Sequence, residues 1–174
     1  MKFFKRKNYP YQSFAKSNKK HFVLIGIGGN IGDSIRRFQK LFYTLKKNIK
    51  VDILQTSPIL KNPPFGYQNQ ADFYNAVMLI KTNLTPFELL YFLQKIEKKY
   101  KRVRHFENSP RTLDLDIIFY DKIRVIKPLL QIPHAKWHER VSVVLPSMKL
   151  HLKNGFMVKL YKKNIKGAYE TFIF

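Results

Sequence analysis

Four stretches of the sequence carry the hydrophobic pattern of β-strands. His21–Gly28 is a short, continuous apolar run that ends in glycines, which is typical of a buried strand. Val51–Leu60 predicts a second extended segment, broken at Pro58 because proline cannot donate to a strand ladder. Phe73–Lys81 is apolar on both faces and predicts an inner strand, whereas Thr112–Tyr120 alternates apolar and polar residues at its start and predicts a further strand.

Helical patterns lie between these strands. After Asp33 and Ser34, either of which can cap a helix, apolar residues recur at three- and four-residue spacing. The run T-P-F-E that starts at Thr85 has the form of a capping box, and it predicts a second helix that ends near Tyr100. A short third helix is expected over residues 136–146, ended by Pro146.

The order of these elements, β-α-β-β-α-β, predicts an α+β fold, namely a ferredoxin-like sheet with helices packed on it. The length of 174 residues suits a single domain, which we place at residues 21–148. Residues 1–20 mix Lys, Asn, Ser, Tyr and Pro without periodicity, so we expect a loosely ordered basic arm. Residues 149–174 are expected to form a basic extension that could contribute edge strands.

Charge is the most unusual bulk property of the chain. Its 33 Lys and Arg residues against 11 Asp and Glu give a formal net charge of +22, which first indicates a nucleic-acid partner. More than half of the excess, however, lies in residues 1–20 and 149–174, and most of the basic residues are lysines, which are common on solvated surfaces. We therefore expect no specific nucleic-acid partner.

Composition also excludes several classes of protein. The 45% of hydrophobic residues excludes disorder over the whole chain, and the absence of cysteine excludes disulfides and thiolate metal sites. The longest apolar stretch, Phe22–Gly29, is far shorter than the ~20 residues of a membrane-spanning helix, and the basic N-terminus lacks the apolar region of a signal peptide. We expect a cytoplasmic protein without membrane attachment.

The strand Thr112–Tyr120 carries the most chemically informative feature, two aspartates two residues apart. Asp114 and Asp116 project to one face of a strand, while the leucines beside them face the other. Two such carboxylates repel each other unless a cation lies between them. Hard oxygen ligands suit Mg²⁺, which usually takes one or two carboxylates plus substrate phosphates. The alternative is an ordinary solvated strand face.

Three arginines, Arg102, Arg104 and Arg111, precede the aspartates closely in the sequence. A guanidinium binds phosphate through two donors at once, so arginines beside a Mg²⁺ pair indicate a polyphosphate site. The alternative is a solvated charge run. His134 is a further candidate and His138 a second one nearby, and the sequence alone does not choose between them; a lone histidine is more often a structural residue or a surface side chain.

Two loops complete the set of candidate features. The proline-containing loop Asn62–Gly66, together with Phe73 and Asn75, could hold a flat heterocycle by stacking and by hydrogen bonds to its edge, although an isolated Phe is more often part of a core. The glycine-rich run Gly26–Asp33 lacks the third glycine of a dinucleotide-binding motif, because Ile31 stands there. We interpret this run as a tight strand-to-helix turn.

Four motifs, taken in order, resemble those of the 6-hydroxymethyl-7,8-dihydropterin pyrophosphokinase family. They are G-x-G-G-N-x-G-D, N-P-P-F-G-x-Q-x-Q-x-D-F-x-N, P-R-T-L-D-L-D-I and I-P-H-x-x-x-x-E-R, and they lie between Phe22 and Pro146. The resemblance implies a ferredoxin-like α+β fold. It also implies transfer of the pyrophosphoryl group of ATP to the hydroxymethyl group of the pterin, release of AMP and the use of two Mg²⁺ ions. We expect a monomer that acts on these two small-molecule substrates.

The resemblance assigns roles to individual residues. Asp114 and Asp116 would be the metal ligands, and the residues that would act in catalysis are Asp116, Arg102, Arg104 and Arg111. The residues that match ATP contacts are Gln94, Glu97, Arg102, Arg104, Arg111, His134 and Arg140. Those that match pterin contacts are Asn62, Pro63, Pro64, Phe65, Phe73 and Asn75. Ser142 stands where the family usually has a second aromatic residue against the pterin.

Two other hypotheses remain open. An RNA-recognition module has the same element order and would account for the positive charge. Its characteristic aromatic motif is absent, however, and Thr112–Tyr120 offers two aspartates where such a module exposes aromatic side chains. The second alternative is a member of the pyrophosphokinase family that has lost activity.

Overall fold

The computed structural model describes residues 1–102 and 109–151. Within these ranges the strands are β1 (Lys2–Phe4), β2 (Tyr11–Gln12), β3 (His21–Gly29), β4 (Val51–Thr56), β5 (Ile59–Asn62), β6 (Phe73–Thr82), β7 (Asp114–Tyr120), β8 (Val125–Lys127) and β9 (Leu130–Ile132). The helices are α1 (Ser34–Lys46), α2 (Pro86–Lys99) and α3 (Val141–Met148). None of the helices in these ranges combines the length and the apolar character needed to cross a bilayer.

One antiparallel sheet organises the described part of the chain. Its strands lie in the order β1-β5-β6-β3-β7; β4 pairs with the other end of β6, and β2 pairs with β4. The sequence β3-α1-β4/β5-β6-α2-β7 is the predicted β-α-β-β-α-β order, so the α+β prediction is confirmed. β8 and β9 form a separate two-stranded ribbon.

The two faces of the sheet have different roles. On β3, Val23, Ile25 and Ile27 point into the main core, which the apolar faces of α1 and α2 complete. The residues between them point to the opposite face, where Leu24 packs with Val144 of α3 in a smaller cluster. α3 covers only part of this second face, so the remainder is free to form a cavity.

Local signals set the ends of the first two helices as predicted. Asp33 caps α1 by accepting a hydrogen bond of 2.9 Å from the backbone N–H of Arg36. At α2, Thr85 and Glu88 form the reciprocal capping box, in which each side chain accepts from the other residue's backbone N–H. These caps pair N–H groups that have no partner within the helix.

The prediction for the third helix is wrong in its boundaries. The helix starts five residues later than expected, at Val141, and continues past Pro146 to Met148 instead of ending there. Proline removes one backbone hydrogen bond from the helix, but its ring is buried, as are Val143 and Val144, and burial of apolar surface favours the folded helix.

The expectation of a loosely ordered N-terminal arm is also wrong for residues 2–12. β1 pairs with β5 and β2 pairs with β4, so this segment lies antiparallel along both consecutive strands. Between β1 and β2, Tyr9 is fully buried against Phe38 and Phe42 and donates a hydrogen bond of 3.2 Å to the carbonyl of Phe38. Without the segment, β4 and β5 would expose a row of unpaired backbone groups.

Strands of two or three residues are too short to show a periodic pattern, which is why sequence reasoning missed them. The division of the chain at residues 21 and 148 stays a prediction. The edge strands expected in residues 149–174 fall almost entirely outside the described residues, which end at His151.

The burial of Tyr9 predicts that the N-terminal segment contributes to global stability. Tyr9→Ala removes a fully buried ring and should lower the free energy of unfolding by about 3–5 kcal/mol, measured by urea denaturation followed by circular dichroism. Phe14→Ala is the matched control, because the Phe14 side chain is 88% exposed and its loss should change stability by less than about 0.5 kcal/mol. Equal effects of the two variants would contradict the packing of this segment.

Candidate active site

A cavity of about 590 Å³, counting space open to solvent, lies on the sheet face opposite α1 and α2. The predicted pterin residues that line it are Asn62, Phe65, Phe73 and Asn75. The predicted metal and phosphate residues that line it are Arg111, Asp114, Asp116 and Arg140. The structure therefore brings residues from four separate stretches of the sequence to one cavity.

The strand register places both groups on the same face. Asn75 of β6 pairs with Gly28 of β3, and Gly28 pairs with Asp114 of β7, so the three residues form one row across the sheet. Gly26 pairs in the same way with Asp116. Paired residues in an antiparallel sheet point to the same side, so the carboxylates lie at one end of the row and the Asn75 amide at the other.

Two glycines form the floor of the cavity. A Cβ atom on Gly28 would lie 2.9 Å from Oδ1 of Asn75, and one on Gly26 would lie 3.2 Å from Cδ1 of Ile118. Side chains at these positions would fill the space between the aspartates and Asn75. Sequence reasoning interpreted the whole glycine run as a turn, but positive φ occurs in it only at Gly32. Glycines two residues apart in a predicted strand lie on one face, and this was the signal that could have revealed the floor.

Asp114 is held between two arginines. Its Oδ1 lies 2.5 Å from Nη2 of Arg102, and its Oδ2 lies 2.8 Å from Nε of Arg111. Burial raises the pKa of the Asp114 carboxyl and the nearby charge of Asp116 raises it further, while the two arginines act in the opposite direction. The arginines thus supply the positive charge that makes two neighbouring carboxylates tolerable on one buried strand.

Glu97 anchors Arg102 from the far side. Its Oε2 lies 2.5 Å from Nη1 of Arg102, and its Oε1 accepts a hydrogen bond of 2.7 Å from the backbone N–H of Leu115. Burial raises the pKa of Glu97 despite this arginine. Burial alone would lower the pKa of Arg102, but the flanking carboxylates of Asp114 and Glu97 outweigh it and raise the pKa. Arg102 therefore stays charged between two acids from different elements.

Asp116 has a more open environment. Its Oδ2 accepts a hydrogen bond of 3.3 Å from Nη1 of Arg140, the residue that precedes α3, and lies 4.0 Å from Nε2 of His134. The backbone N–H of His134 donates to the carbonyl of Ile118 on β7, which fixes this loop beside the strand. Burial lowers the pKa of His134, so its imidazole is neutral at neutral pH.

The opposite end of the cavity is built from amides and aromatic rings. Nδ2 of Asn75 donates a hydrogen bond of 2.8 Å to Oδ1 of Asn62, whose own Nδ2 donates to the carbonyl of Pro63 at 2.7 Å. The Phe73 ring is buried, and the Arg111 guanidinium carbon lies 4.9 Å from its centre. Phe65, on the loop after Asn62, lines the cavity but is 49% exposed.

Not every predicted residue lines the cavity. Gln94 is exposed on α2, one turn before Glu97, and it does not line the cavity. Arg104 falls outside the described residues. Pro64 belongs to the loop itself, where its carbonyl accepts a hydrogen bond of 3.2 Å from Nε2 of Gln68. The lining residues that sequence reasoning did not assign to a site are Gly26, Ile27, Gly28, Ile118 and Val143, whereas Ser142 lines the cavity as its expected position against the pterin implies.

The oxygen donors at the carboxylate end of the cavity fit a magnesium ion that takes its remaining ligands from a substrate. Within residues 1–102 and 109–151, no three His, Cys, Asp or Glu side chains are placed to hold a metal ion by themselves. Asp114 and Asp116 nevertheless offer hard oxygen donors to one cavity, and their mutual repulsion would be relieved by a cation. Mg²⁺ is commonly bound in this way, by one or two carboxylates and by substrate phosphates.

Comparison with known proteins gives a consistent result. The family model for 7,8-dihydro-6-hydroxymethylpterin-pyrophosphokinase matches residues 24–152. The 2-amino-4-hydroxy-6-hydroxymethyldihydropteridine pyrophosphokinase of Campylobacter jejuni is 43% identical over 144 residues, which are 83% of this chain and 92% of that protein. The proteins of the same name from Helicobacter pylori and Bacillus subtilis are each 37% identical over 126 residues; these cover 71% and 72% of this chain, and 77% and 75% of the respective relatives. The chain belongs to the 7,8-dihydro-6-hydroxymethylpterin-pyrophosphokinase family.

Proposed function

We propose that the protein transfers the pyrophosphoryl group of ATP to the hydroxymethyl group of 6-hydroxymethyl-7,8-dihydropterin and releases AMP, as a step of folate synthesis. The observation that carries the proposal is the row of side chains across the sheet. An arginine-flanked pair of aspartates lies at one end of the cavity, and an amide with aromatic rings lies at the other. One end suits a polyphosphate and the other a flat heterocycle.

The arginines would bind the triphosphate. In the structure, Arg102 and Arg111 form ion pairs with Asp114, and Arg140 forms an ion pair with Asp116. Two oxygens of a phosphate can accept a pair of parallel hydrogen bonds from a guanidinium, as the two oxygens of a carboxylate do. The triphosphate would therefore take these arginines from the aspartates and free carboxylate oxygens for other ligands. Glu97 would act through Arg102, because both of its oxygens already have partners within the protein.

Asp114 and Asp116 would hold the two Mg²⁺ ions. When bound, Mg²⁺ offsets the negative charge of the phosphates and of the oxygen atoms that attack and leave. His134 would add a neutral hydrogen-bonding group beside Asp116, because burial lowers the pKa of its imidazole. The predicted roles of Gln94 and Arg104 toward ATP stay predictions.

The pterin would bind at the end formed by Phe73 and Asn75. The Phe73 ring offers a stacking surface, and the Asn75 amide offers a donor and an acceptor to the edge of a heterocycle. Asn62 fixes the orientation of that amide through the 2.8 Å hydrogen bond. Pro63 and Pro64 stiffen the loop that carries Phe65 to the mouth of the cavity.

In the proposed reaction the hydroxymethyl oxygen forms a bond to the β-phosphorus of ATP. The bond from that phosphorus to the oxygen that leads to the α-phosphate breaks, AMP leaves with this oxygen, and the hydroxyl proton is released. Transfers of this kind depend on positioning and on charge stabilisation, so the site needs no nucleophilic side chain. We also propose a monomer that acts on two small molecules without nucleic acid or membrane, as expected from the sequence. The cytoplasmic location expected from the sequence stays a prediction.

Asp116→Asn tests the proposed reaction directly. The variant keeps the shape of the side chain but removes its charge, and it should lower kcat by at least about 10²–10³-fold. The measurement is AMP formation from MgATP and 6-hydroxymethyl-7,8-dihydropterin. Asp52→Asn is the matched control, because Asp52 pairs with Lys19 elsewhere on the surface and should leave turnover unchanged. ADP as the product, or full activity of Asp116→Asn, would contradict the proposal. Absence of turnover in the wild-type protein would favour the inactive alternative.

Gly28→Ala tests the pterin end of the row. The added methyl group would lie 2.9 Å from Oδ1 of Asn75 and would push the amide out of position. The KM for the pterin should rise about 10-fold, whereas the KM for ATP should stay the same. In an Asn75→Ala background the same change should have little further effect on the pterin KM. A full additional loss in that background would show that Gly28 acts elsewhere.

If the arginines leave the aspartates to bind the triphosphate, the binding of Mg²⁺ and the binding of the nucleotide should strengthen each other. Mg²⁺ should tighten the binding of a non-hydrolysable ATP analogue to the wild-type protein by at least about 10-fold, measured by calorimetry. Asp114→Asn should lose this dependence. It should bind the metal-free analogue more tightly than the wild type, because Arg102 and Arg111 no longer pair with a carboxylate. An unchanged Mg²⁺ dependence in Asp114→Asn would exclude Asp114 as a metal ligand.

A further inference from the structure

We propose that Phe3 of β1 is a positioning residue for the pterin end of the cavity, an inference that rests on the proposed function. β1 lies before residue 24, where the match to the family model begins. The N-terminal segment therefore lies outside the part of the chain that the family model matches. Its position in the sheet connects it to the cavity.

The row of side chains that forms the cavity continues to β1. Phe3 pairs with Leu60 of β5, and Leu60 pairs with Asn75 of β6. Phe3, Leu60 and Asn75 therefore lie on the same face of three adjacent strands. Phe4 points to the other face, where its ring centre lies 6.3 Å from that of Tyr74.

β5 depends on β1 for half of its pairing. This strand is only four residues long and pairs with β6 over Leu60, Lys61 and Asn62. Its other edge is covered by β1 over three residues. A four-residue strand with a free edge is weakly held, because one side of its backbone would exchange hydrogen bonds with water. β5 leads directly to Asn62, the residue that orients Asn75, and to the two prolines of the loop.

Phe3 also contacts the helix that forms another wall of the cavity. Nζ of Lys149 lies 5.6 Å from the centre of the Phe3 ring, and Lys149 is the C-cap residue directly after α3. The start of α3 supplies Ser142 and Val143 to the cavity. Phe3 thus joins the edge of the sheet beside β5 to α3, and both elements contribute to the space beside Asn75.

The position of Phe3 predicts an effect on one substrate only. The arginines that would bind ATP contact Asp114 and Asp116 on β7, which is separated from β5 by β6 and β3. Displacement of β5 should therefore disturb the pterin end and leave the phosphate end in place. A merely structural role would instead lower stability without separating the two substrates.

The experiment compares Phe3→Ala with Phe4→Ala in the full-length chain. Phe3→Ala should raise the KM for the pterin about 10-fold and leave kcat and the KM for ATP within about twofold. Phe4→Ala removes an equal ring from the same strand on the other face and should leave both KM values unchanged. Phe3→Tyr, which keeps the ring, should retain the wild-type KM. Lys149→Ala keeps β1 intact and should raise the pterin KM about 2–5-fold, so it serves if Phe3→Ala does not fold.

Hydrogen exchange of the amides at residues 59–62 separates this proposal from the proposed function. Faster exchange in Phe3→Ala than in Phe4→Ala would support the positioning of β5 even if the wild-type protein showed no turnover, in which case only the proposed reaction fails. If the wild type is active, equal changes in both KM values, or an unchanged pterin KM in both Phe3→Ala and Lys149→Ala, would overturn the role of Phe3 and leave the reaction standing.

Discussion

The buried ion pairs around Asp114 are the constraint on which the rest of the site depends. Two carboxylates on one strand face, one of them buried, are tolerable only where cations are built in beside them. Arg102 and Arg111 supply that charge, and Glu97 holds Arg102 in place from α2. The pairs therefore join α2, the chain after it and β7 into one unit. The same arginines can serve a phosphate when one arrives, because carboxylate and phosphate compete for a guanidinium on equal geometric terms.

The sheet provides the second constraint, through the alternation of its strands. One face buries leucine, isoleucine and valine against two helices, and the other face carries the polar row. A shift of one residue in the register of a strand would move all of its apolar side chains out of the core. The apolar core therefore fixes the register, and with it the positions of the polar groups on the other face. β3 shows this on its two faces. Gly26 and Gly28 occupy the cavity face, while Ile25 and Ile27 pack in the core on the other face.

Features that depend on neighbouring residues could be predicted from the sequence. The alternation around Asp114 and Asp116 correctly placed both carboxylates on one face, and the capping box at Thr85 correctly placed the start of α2. The pairing of Arg102 with Glu97, the close approach of Gly28 to Asn75 and the burial of Tyr9 could not be predicted, because each depends on strand register or on packing between distant segments. The roles of the site residues toward ATP and pterin came from the resemblance and remain proposals.

The antiparallel path of residues 2–12 along β4 and β5 has a consequence for the order of assembly. Lys2 pairs with Lys61 and Tyr11 pairs with Thr56, so β1 and β2 have no strand partner during synthesis until β5 and β4 have been made. Until then the Tyr9 side chain lacks the core that buries it. Closing so long a loop is slow relative to pairing neighbouring strands. This edge of the sheet therefore forms only after β4 and β5 have been made, although residues 2–12 are synthesised before both strands.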